Sequence, residues 1–281
     1  MNDSPPPADR RHAALARVRA AIALHGGTTI LSTGITGDDA RMARAAIAGG
    51  ARMLEPNHPA VALRSGLHGV TTMHDAESVR HLVPISLMAD VVRGVRAVVG
   101  PEIVITVGVP GAFEEVASVT VSDADMALIA DAGADGLHTH KADLSDLADW
   151  VQRAHSHGLF VDAYIAHPAD RHRFGIPAGT TAQVAATVLS MKQMGVDLVG
   201  LMTGLSYEGI SAGEVPTTVR ERLEALVAAA GDTPTIAEGG INPQNWAPVR
   251  RTGVNVIVVG TALDDIAAGA IAASVAGFLT R

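Results

Sequence analysis

A short unit recurs along this chain: an Ala-rich amphipathic stretch ends at glycine, and an apolar, β-branched run follows at once. It reads AAIAGGARMLE (45–55), VVGPEIVITVGV (98–109), IADAGADGLHTH (129–140) and RAHSHGLFVDAYI (153–165). It returns as KQMGVDLVGLMTG (192–204), AAAGDTPTIAEGG (228–240) and RRTGVNVIVVGTA (251–262). Glycine after a helix takes the left-handed cap conformation at little steric cost. The runs that follow are apolar on both faces, as strands of a buried parallel sheet are. With TTILSTGI (28–35) in front, eight strands are expected. Alternation repeated this often implies parallel strands joined by right-handed crossovers. Eight units in 281 residues predict a closed (β/α)8 TIM barrel.

The segments between the strands carry helical spacing. PADRRHAALARVRAAIAL (7–24) reads as an extra N-terminal helix, and IAAGAIAASVAGFLT (266–280) as the last helix of the barrel wall. Ser122 and Ser145 are the expected caps of the helices that start beside them. Residues 1–8, polar and Pro-rich, read as a disordered leader, and residues 9–281 as one barrel domain. Two long connections follow strands two and five, 58–86 and 167–179, and a polar loop, 206–214, follows strand six. They leave the C-terminal end of the barrel, where active-site loops gather.

Composition narrows the function. Aromatic residues make up only 3%, so the core must be built from Ala, Val, Leu, Ile and Met. A net charge of −8 with no basic block argues against nucleic acid, whose phosphates need clustered Lys and Arg. With no cysteine, disulfides, thiol catalysis and Cys-bound zinc are excluded. A cytoplasmic enzyme without membrane contact or organic cofactor is the expectation, and the Ala-rich helical exterior suits a homodimer.

Strand parity sorts pocket residues from those facing the helices. On strand four, His138 and His140 point into the barrel mouth, with Lys141 opening the loop; on strand five, Asp162 does the same beside Tyr164. Glu55 ends strand two and Glu238 ends strand seven. Glu55, His138, His140, Lys141, Asp162 and Glu238 are therefore the candidate catalytic residues. Glycines after strands seven and eight leave backbone N–H groups open to an anion, and a helix start after strand eight adds a positive dipole end. Gly239, Gly240, Gly260 and Thr261 are the candidate phosphate site.

These stretches resemble the ribulose-phosphate-binding barrels. MGVDLVGLMTG (194–204), AEGGINPQNW (237–246) and GVNVIVVGTAL (253–263) are similar to the C-terminal half of 3-hexulose-6-phosphate synthase and 3-keto-L-gulonate-6-phosphate decarboxylase. IAEGGIN (236–242) is similar to the matching strand of N-acylmannosamine-6-phosphate 2-epimerase, and residues 133–165 share the layout of strands four and five of the synthase. The likeness covers about residues 120–265. It implies a phosphorylated sugar or related phosphate ester, handled through an enediolate by a lyase or an epimerase. It further implies that Glu55 helps hold Mg²⁺, that Asp162 is the strand-five acid and that Glu238 exchanges a proton with the sugar carbon. The chain departs from the pattern at strand three. There VITVGVPG places Thr106 and Gly108 where the synthase has the acid and lysine of Asp-x-Lys-x-x-Asp.

HTHK (138–141) leaves four readings open. His138 and His140 can ligate a divalent metal (Mg, Mn or Zn) with Glu55 and Asp162. They can carry protons, with Lys141 offsetting charge. Lys141 can form a Schiff base. Or the three make ordinary hydrogen bonds. At the level of the chain, the alternatives to sugar-phosphate chemistry are a metal-dependent enzyme on a non-phosphorylated substrate and a non-catalytic barrel that binds a phosphate ligand.

Overall fold

A parallel sheet exposes two open edges until it closes on itself, and here it closes. In a computed structural model of the chain, residues 6–112, 119–169, 174–205 and 214–280 are described, leaving aside the side chains of Met73, His74 and Glu77. The strands are β1 (Thr29–Ser32), β2 (Met53–Leu54), β3 (Val104–Gly108), β4 (Gly136–Thr139), β5 (Phe160–Ala166), β6 (Ile176–Pro177), β7 (Leu198–Met202), β8 (Thr235–Glu238) and β9 (Val256–Val259). Every pairing is parallel, and the ring runs β1–β2–β3–β4–β5–β7–β8–β9 and back to β1. The two-residue β6 adds to the end of β5 outside the ring. The fold is the expected (β/α)8 barrel.

The helices are α1 (Pro7–Leu24), α2 (Ile35–Asp38), α3 (Ala40–Ala48), α4 (His58–Arg64), α5 (Met73–Ser78) and α6 (Ile85–Val99). They continue as α7 (Asp123–Asp131), α8 (Leu144–Ser156), α9 (Thr181–Gln193), α10 (Thr217–Ala230), α11 (Trp246–Arg250) and α12 (Thr261–Leu279). The connection 58–86 is not plain loop: it folds into α4, α5 and a 3-10 turn at Arg80–Leu82 before α6. Of the connection 167–179 and the loop 206–214, residues 170–173 and 206–213 lie outside the described residues, as do residues 1–5 of the expected leader. Pro7 and Ala8 belong to α1.

Capping follows the sequence at one of the two expected serines. Ser122 forms a reciprocal capping box with Asp125 at the start of α7. At α8 the cap is Asp143, whose carboxylate accepts from the N–H groups of Ser145 and Asp146, so Ser145 lies inside the first turn. An ionised acceptor beside the positive helix end is favoured over a hydroxyl.

The core is aliphatic, as the composition requires, with Leu31, Met53, Leu54, Ile105, Met126, Ile129 and Leu137 fully buried around two rings, Phe160 and Tyr164. Glycine makes room for the larger of them. A Cβ on Gly200 would stand 2.5 Å from the Tyr164 ring carbons, so only glycine at this point of β7 lets the tyrosine lie in the barrel mouth.

α1 is tied down by buried acids on the opposite rim. Asp135 accepts from the N–H of Ile105 and pairs with Arg96 at 2.8 Å and Arg17 at 2.5 Å. Asp197 accepts from Val161 and pairs with Arg11 and His155. His155 is thus structural. Replacing Asp135 by Ala removes the carboxylate partner of Arg17 and Arg96 and leaves one strand N–H without its acceptor, and is expected to cost about 3 kcal/mol. Urea unfolding against the parent chain measures it; a loss under about 1 kcal/mol would show that α1 is not held through Asp135.

α12 departs from expectation. It starts at Thr261, five residues earlier than the sequence pattern indicates, and none of its residues is buried. It is not the eighth wall helix of its own barrel. By length and composition alone it is also long and apolar enough to cross a membrane.

Candidate active site

The register of the strands sets the candidate residues side by side. His138 on β4 is the register partner of Asp162 on β5 and of Gly108 on β3, so all three reach the mouth at one level. His138 Nδ1 stands 2.7 Å from Asp162 Oδ1 and 3.8 Å from Glu55 Oε2. On its other side, His138 Nε2 stands 2.9 Å from His140 Nε2 and 3.5 Å from Glu238 Oε2, and His140 Nε2 lies 3.6 Å from the same oxygen. Five of the six candidates therefore form one cluster. Glu55, His138, His140 and Asp162 are buried, and Glu238 is partly exposed at its edge.

The sixth does not join it. The Lys141 ammonium lies 5.9 Å over the ring of Trp150, a buried residue of α8. Alternation explains this: His138 and His140 share the inward face, and the next residue turns to the helix layer. The roles that sequence gave Lys141, charge stabiliser or Schiff-base nucleophile, have no support in this geometry.

The strand-three departures have local reasons. Thr106 donates its hydroxyl to Asp162 Oδ2 at 2.8 Å, filling the place of an acid with a hydrogen-bond donor. Gly108 leaves space for the Asn57 side chain, which a Cβ there would meet at 3.1 Å. Asn57 in turn donates its amide to Glu55 Oε1 at 2.5 Å, and the Gly108 carbonyl accepts from His58 Nδ1 at 3.0 Å. Asn57, Thr106 and Tyr164 complete the cluster beyond the six candidates that sequence indicates. Tyr164 had a signal, since it shares the parity of Asp162. Its ring centroid packs 4.8 Å from His138 and 4.9 Å from His140.

Burial opposes a charge on His138, yet the carboxylates of Glu55, Asp162 and Glu238 outweigh it and lift the imidazole to about 10. Burial also works against ionised Glu238, but the His138 charge overrides it and holds Glu238 below the usual range. Glu55 goes the other way: burial raises it well above its ordinary value despite His138. Burial lowers His140 and pushes the Tyr164 hydroxyl well up. Near neutral pH the cluster thus holds a charged His138 and an ionised Glu238 beside a neutral His140. Between the two Nε2 atoms, His138 donates and His140 accepts.

Above the cluster opens a pocket of about 350 Å3, large enough for a small substrate. His140, Phe174 and Glu238 form part of its wall, and Gly239, Gly240, Gly260 and Thr261 form another part. The four candidate phosphate residues are therefore together. Gly239 and Gly240 both take left-handed backbone, at φ 103° and 67°. Thr203 and Asn245 donate to their two carbonyls, which fixes the turn. α12 begins at Thr261 and aims its N-terminus along the same rim. No Lys or Arg is among the described lining residues, while Asp264 and Asp265 are. From the connection 167–179, Phe174 lines the pocket.

The expected metal set also changes. Glu55 and Asp162 stand on the Nδ1 side of His138, away from His140. Among the described residues, the atoms that could share one ion are His138 Nε2, His140 Nε2 and Glu238 Oε2. Their separations of 2.9, 3.5 and 3.6 Å bracket the roughly 3.3 Å between tetrahedral ligands at about 2.05 Å from zinc. Asp162 then takes the place of the carboxylate that orients a ligating imidazole from behind.

No protein-family model and no curated protein sequence matches the chain. Solved structures do. A candidate phosphonomutase from Burkholderia cenocepacia J2315 aligns at TM-score 0.62 and 19% identity over 94% of this chain and 99% of that one. A 2,3-dimethylmalate lyase of the PEP mutase/isocitrate lyase superfamily aligns at 0.61 and 14%, over 95% and 88%. A tryptophan synthase α-subunit from Pyrococcus furiosus aligns at 0.58 and 15%, over 85% and 89%. At these identities what is shared is the barrel. None of the three bears the name of an enzyme that the sequence motifs resemble, and the ribulose-phosphate-binding resemblance is not confirmed by them.

The folded chain holds the His138 proton more tightly than the unfolded chain, where histidine titrates near 6.5. This contribution to stability is full below about pH 6.5 and is lost as pH rises through about 10. Urea unfolding in EDTA across that range should show the decline, and His138→Gln should flatten it. An unchanged slope in the variant would place the proton elsewhere.

Proposed function

We propose that the chain is an enzyme that moves a proton on the carbon beside a carbonyl of a small phosphorylated substrate, through an enediolate. The overall reaction is then an aldol-type cleavage or an epimerisation. The observation that carries this reading is the position of Glu238. It stands between the buried imidazolium of His138 and the open pocket, immediately before the Gly239–Gly240 turn. A phosphate on the amides of Gly239, Gly240, Gly260 and Thr261, at the N-terminus of α12, sets the reacting carbon over Glu238. Glu238, ionised, takes the proton. His138 offsets the charge that develops on the substrate oxygen, and His140, on the pocket wall, relays its proton. Glu55 and Asp162 hold His138 charged and in place. The names of two structural neighbours, a lyase and a phosphonomutase, fit chemistry of this kind.

A second reading rests on the triangle of His138, His140 and Glu238. Two imidazoles and one carboxylate suit Zn²⁺ or Mn²⁺ better than Mg²⁺, which prefers oxygen ligands. An ion there would replace the proton shared by the imidazoles and supply the positive charge that Lys141 does not bring.

A thermal-shift screen with phosphorylated pentoses, hexoses and amino sugars, beside their unphosphorylated forms, tests the first reading. Phosphorylated ligands alone should stabilise, by about 2.7 kcal/mol at a hundred times the dissociation constant. With the ligand so found, Glu238→Gln should keep binding and lose turnover by about 10²–10⁴-fold. No response to any phosphate ester would end this reading. Repeating the screen with Zn²⁺, Mn²⁺ and EDTA separates the second. Stabilisation by metal alone that disappears in His140→Ala would establish the metal centre.

A further inference from the structure

We propose that Asn57 selects the substrate: its side-chain carbonyl accepts a hydrogen bond from one hydroxyl group of the ligand, so the pocket takes the hydroxylated compound and rejects its deoxy analogue. Selection of this kind rests on the pocket being a substrate site, as proposed above, and not on the phosphate.

Asn57 stands just after β2, at the N-cap position of α4. An asparagine oxygen there ordinarily accepts from the first free N–H groups of the helix. Here the side chain makes no capping bond. It is turned instead toward the cluster, where its amide donates to Glu55 Oε1 at 2.5 Å. The rest of the residue is fixed as well. Its backbone N–H donates to the buried Asp38 Oδ1 at 3.0 Å, and its backbone carbonyl accepts from the Val61 N–H at 3.0 Å. Backbone pairing with Gly108 ties it to β3, and the missing Cβ of Gly108 leaves its side chain room.

One polar atom is left over. Asn57 is only 8% exposed and lines the pocket, yet its Oδ1 meets no donor among the described residues. A buried carbonyl without a donor carries a desolvation penalty, and folded proteins keep few of them. A donor brought by the ligand removes that penalty on binding. The neighbours cannot supply one: the Thr33 hydroxyl, also in the pocket wall, is spent on the Glu55 carbonyl. Glu238 Oε2, in another part of the same wall, is a second acceptor without a hydrogen-bond donor. The pocket therefore calls for a ligand rich in donors. An amide oxygen offers a dipole and no charge, which suits a hydroxyl better than an ammonium group. Held rigidly from both sides, Asn57 cannot turn to follow a ligand that lacks the group, and discrimination by an unpaired buried acceptor is strong.

Calorimetric titration of the full chain tests this. The probes are D-ribulose 5-phosphate and D-fructose 6-phosphate, the two free sugars, and the monodeoxy and monodeoxyfluoro forms of each. Loss of one particular hydroxyl should weaken binding about 10–100-fold. The deoxyfluoro form at that position keeps size and lone pairs but cannot donate, and should lose as much. In Asn57→Ala the hydroxylated sugar should bind more weakly, while the deoxy penalty shrinks to about twofold or less, the coupling that a direct contact requires. Asn57→Ser takes its place should the alanine variant not fold. An asparagine that only supports Glu55 would weaken hydroxylated and deoxy sugars alike, and that result would overturn the proposal. So would a deoxyfluoro sugar that binds as well as its parent, because the amide would then be the donor. Coupling seen equally with free and phosphorylated sugars upholds Asn57 and ends the phosphate reading. Phosphorylated sugars that bind without coupling to Asn57 do the reverse, and binding of neither form ends both.

Discussion

The mouth of this barrel depends on one imidazolium surrounded by carboxylates. A lone charge at the depth of His138 would be strongly disfavoured. Glu55, Asp162 and Glu238 reverse that penalty, each reaching the ring from a different strand or its end. The compensation runs both ways. Glu238 remains ionised at the edge of the pocket because His138 stands behind it, while Glu55, deeper and held by the Asn57 amide, is driven toward its neutral form. Like carboxylates in unlike settings divide into different roles, and only Glu238 of the three lines the pocket. The aliphatic core below supplies the low-dielectric floor that makes these couplings strong.

Much of this site was legible because a barrel strand has a strict parity. Once eight strands are counted, alternation alone sends His138, His140 and Asp162 inward, and the strand ends bring in Glu55 and Glu238. The same rule, carried one residue further, would have turned Lys141 away. Its charge and its place in HTHK outweighed parity in the sequence reading, and Trp150 is where it rests. The metal grouping failed for another reason. Sequence shows which residues share a rim but not which ring nitrogen faces which neighbour. Asp162 takes the Nδ1 side of His138 and leaves Nε2 for His140 and Glu238. Thr106 and Gly108, which looked like lost catalytic groups, instead serve Asp162 and Asn57.

The cap at Asp143 and the course of α12 show two further limits. Ser145 and Asp143 are both good caps, and the choice between them depends on a helix start that periodicity places only to within a turn. For α12 the apolar pattern called for a buried wall helix, yet none of its residues is buried. The difference lies in the joint: one glycine between strand and helix, and an aspartate that fixes the angle of departure.

That joint is also the rim of the pocket. Gly260 and Thr261 are candidate phosphate residues and at the same time the hinge of α12, and Asp264 both lines the pocket and pins the helix. The near end of the helix presents its N–H groups to the ligand, and its first turn is held by the Asp264 carboxylate, which accepts from the Ile35 N–H. With no Lys or Arg among the described lining residues, the anion depends on backbone donors. Backbone donors bind well only when the helix that carries them is held still.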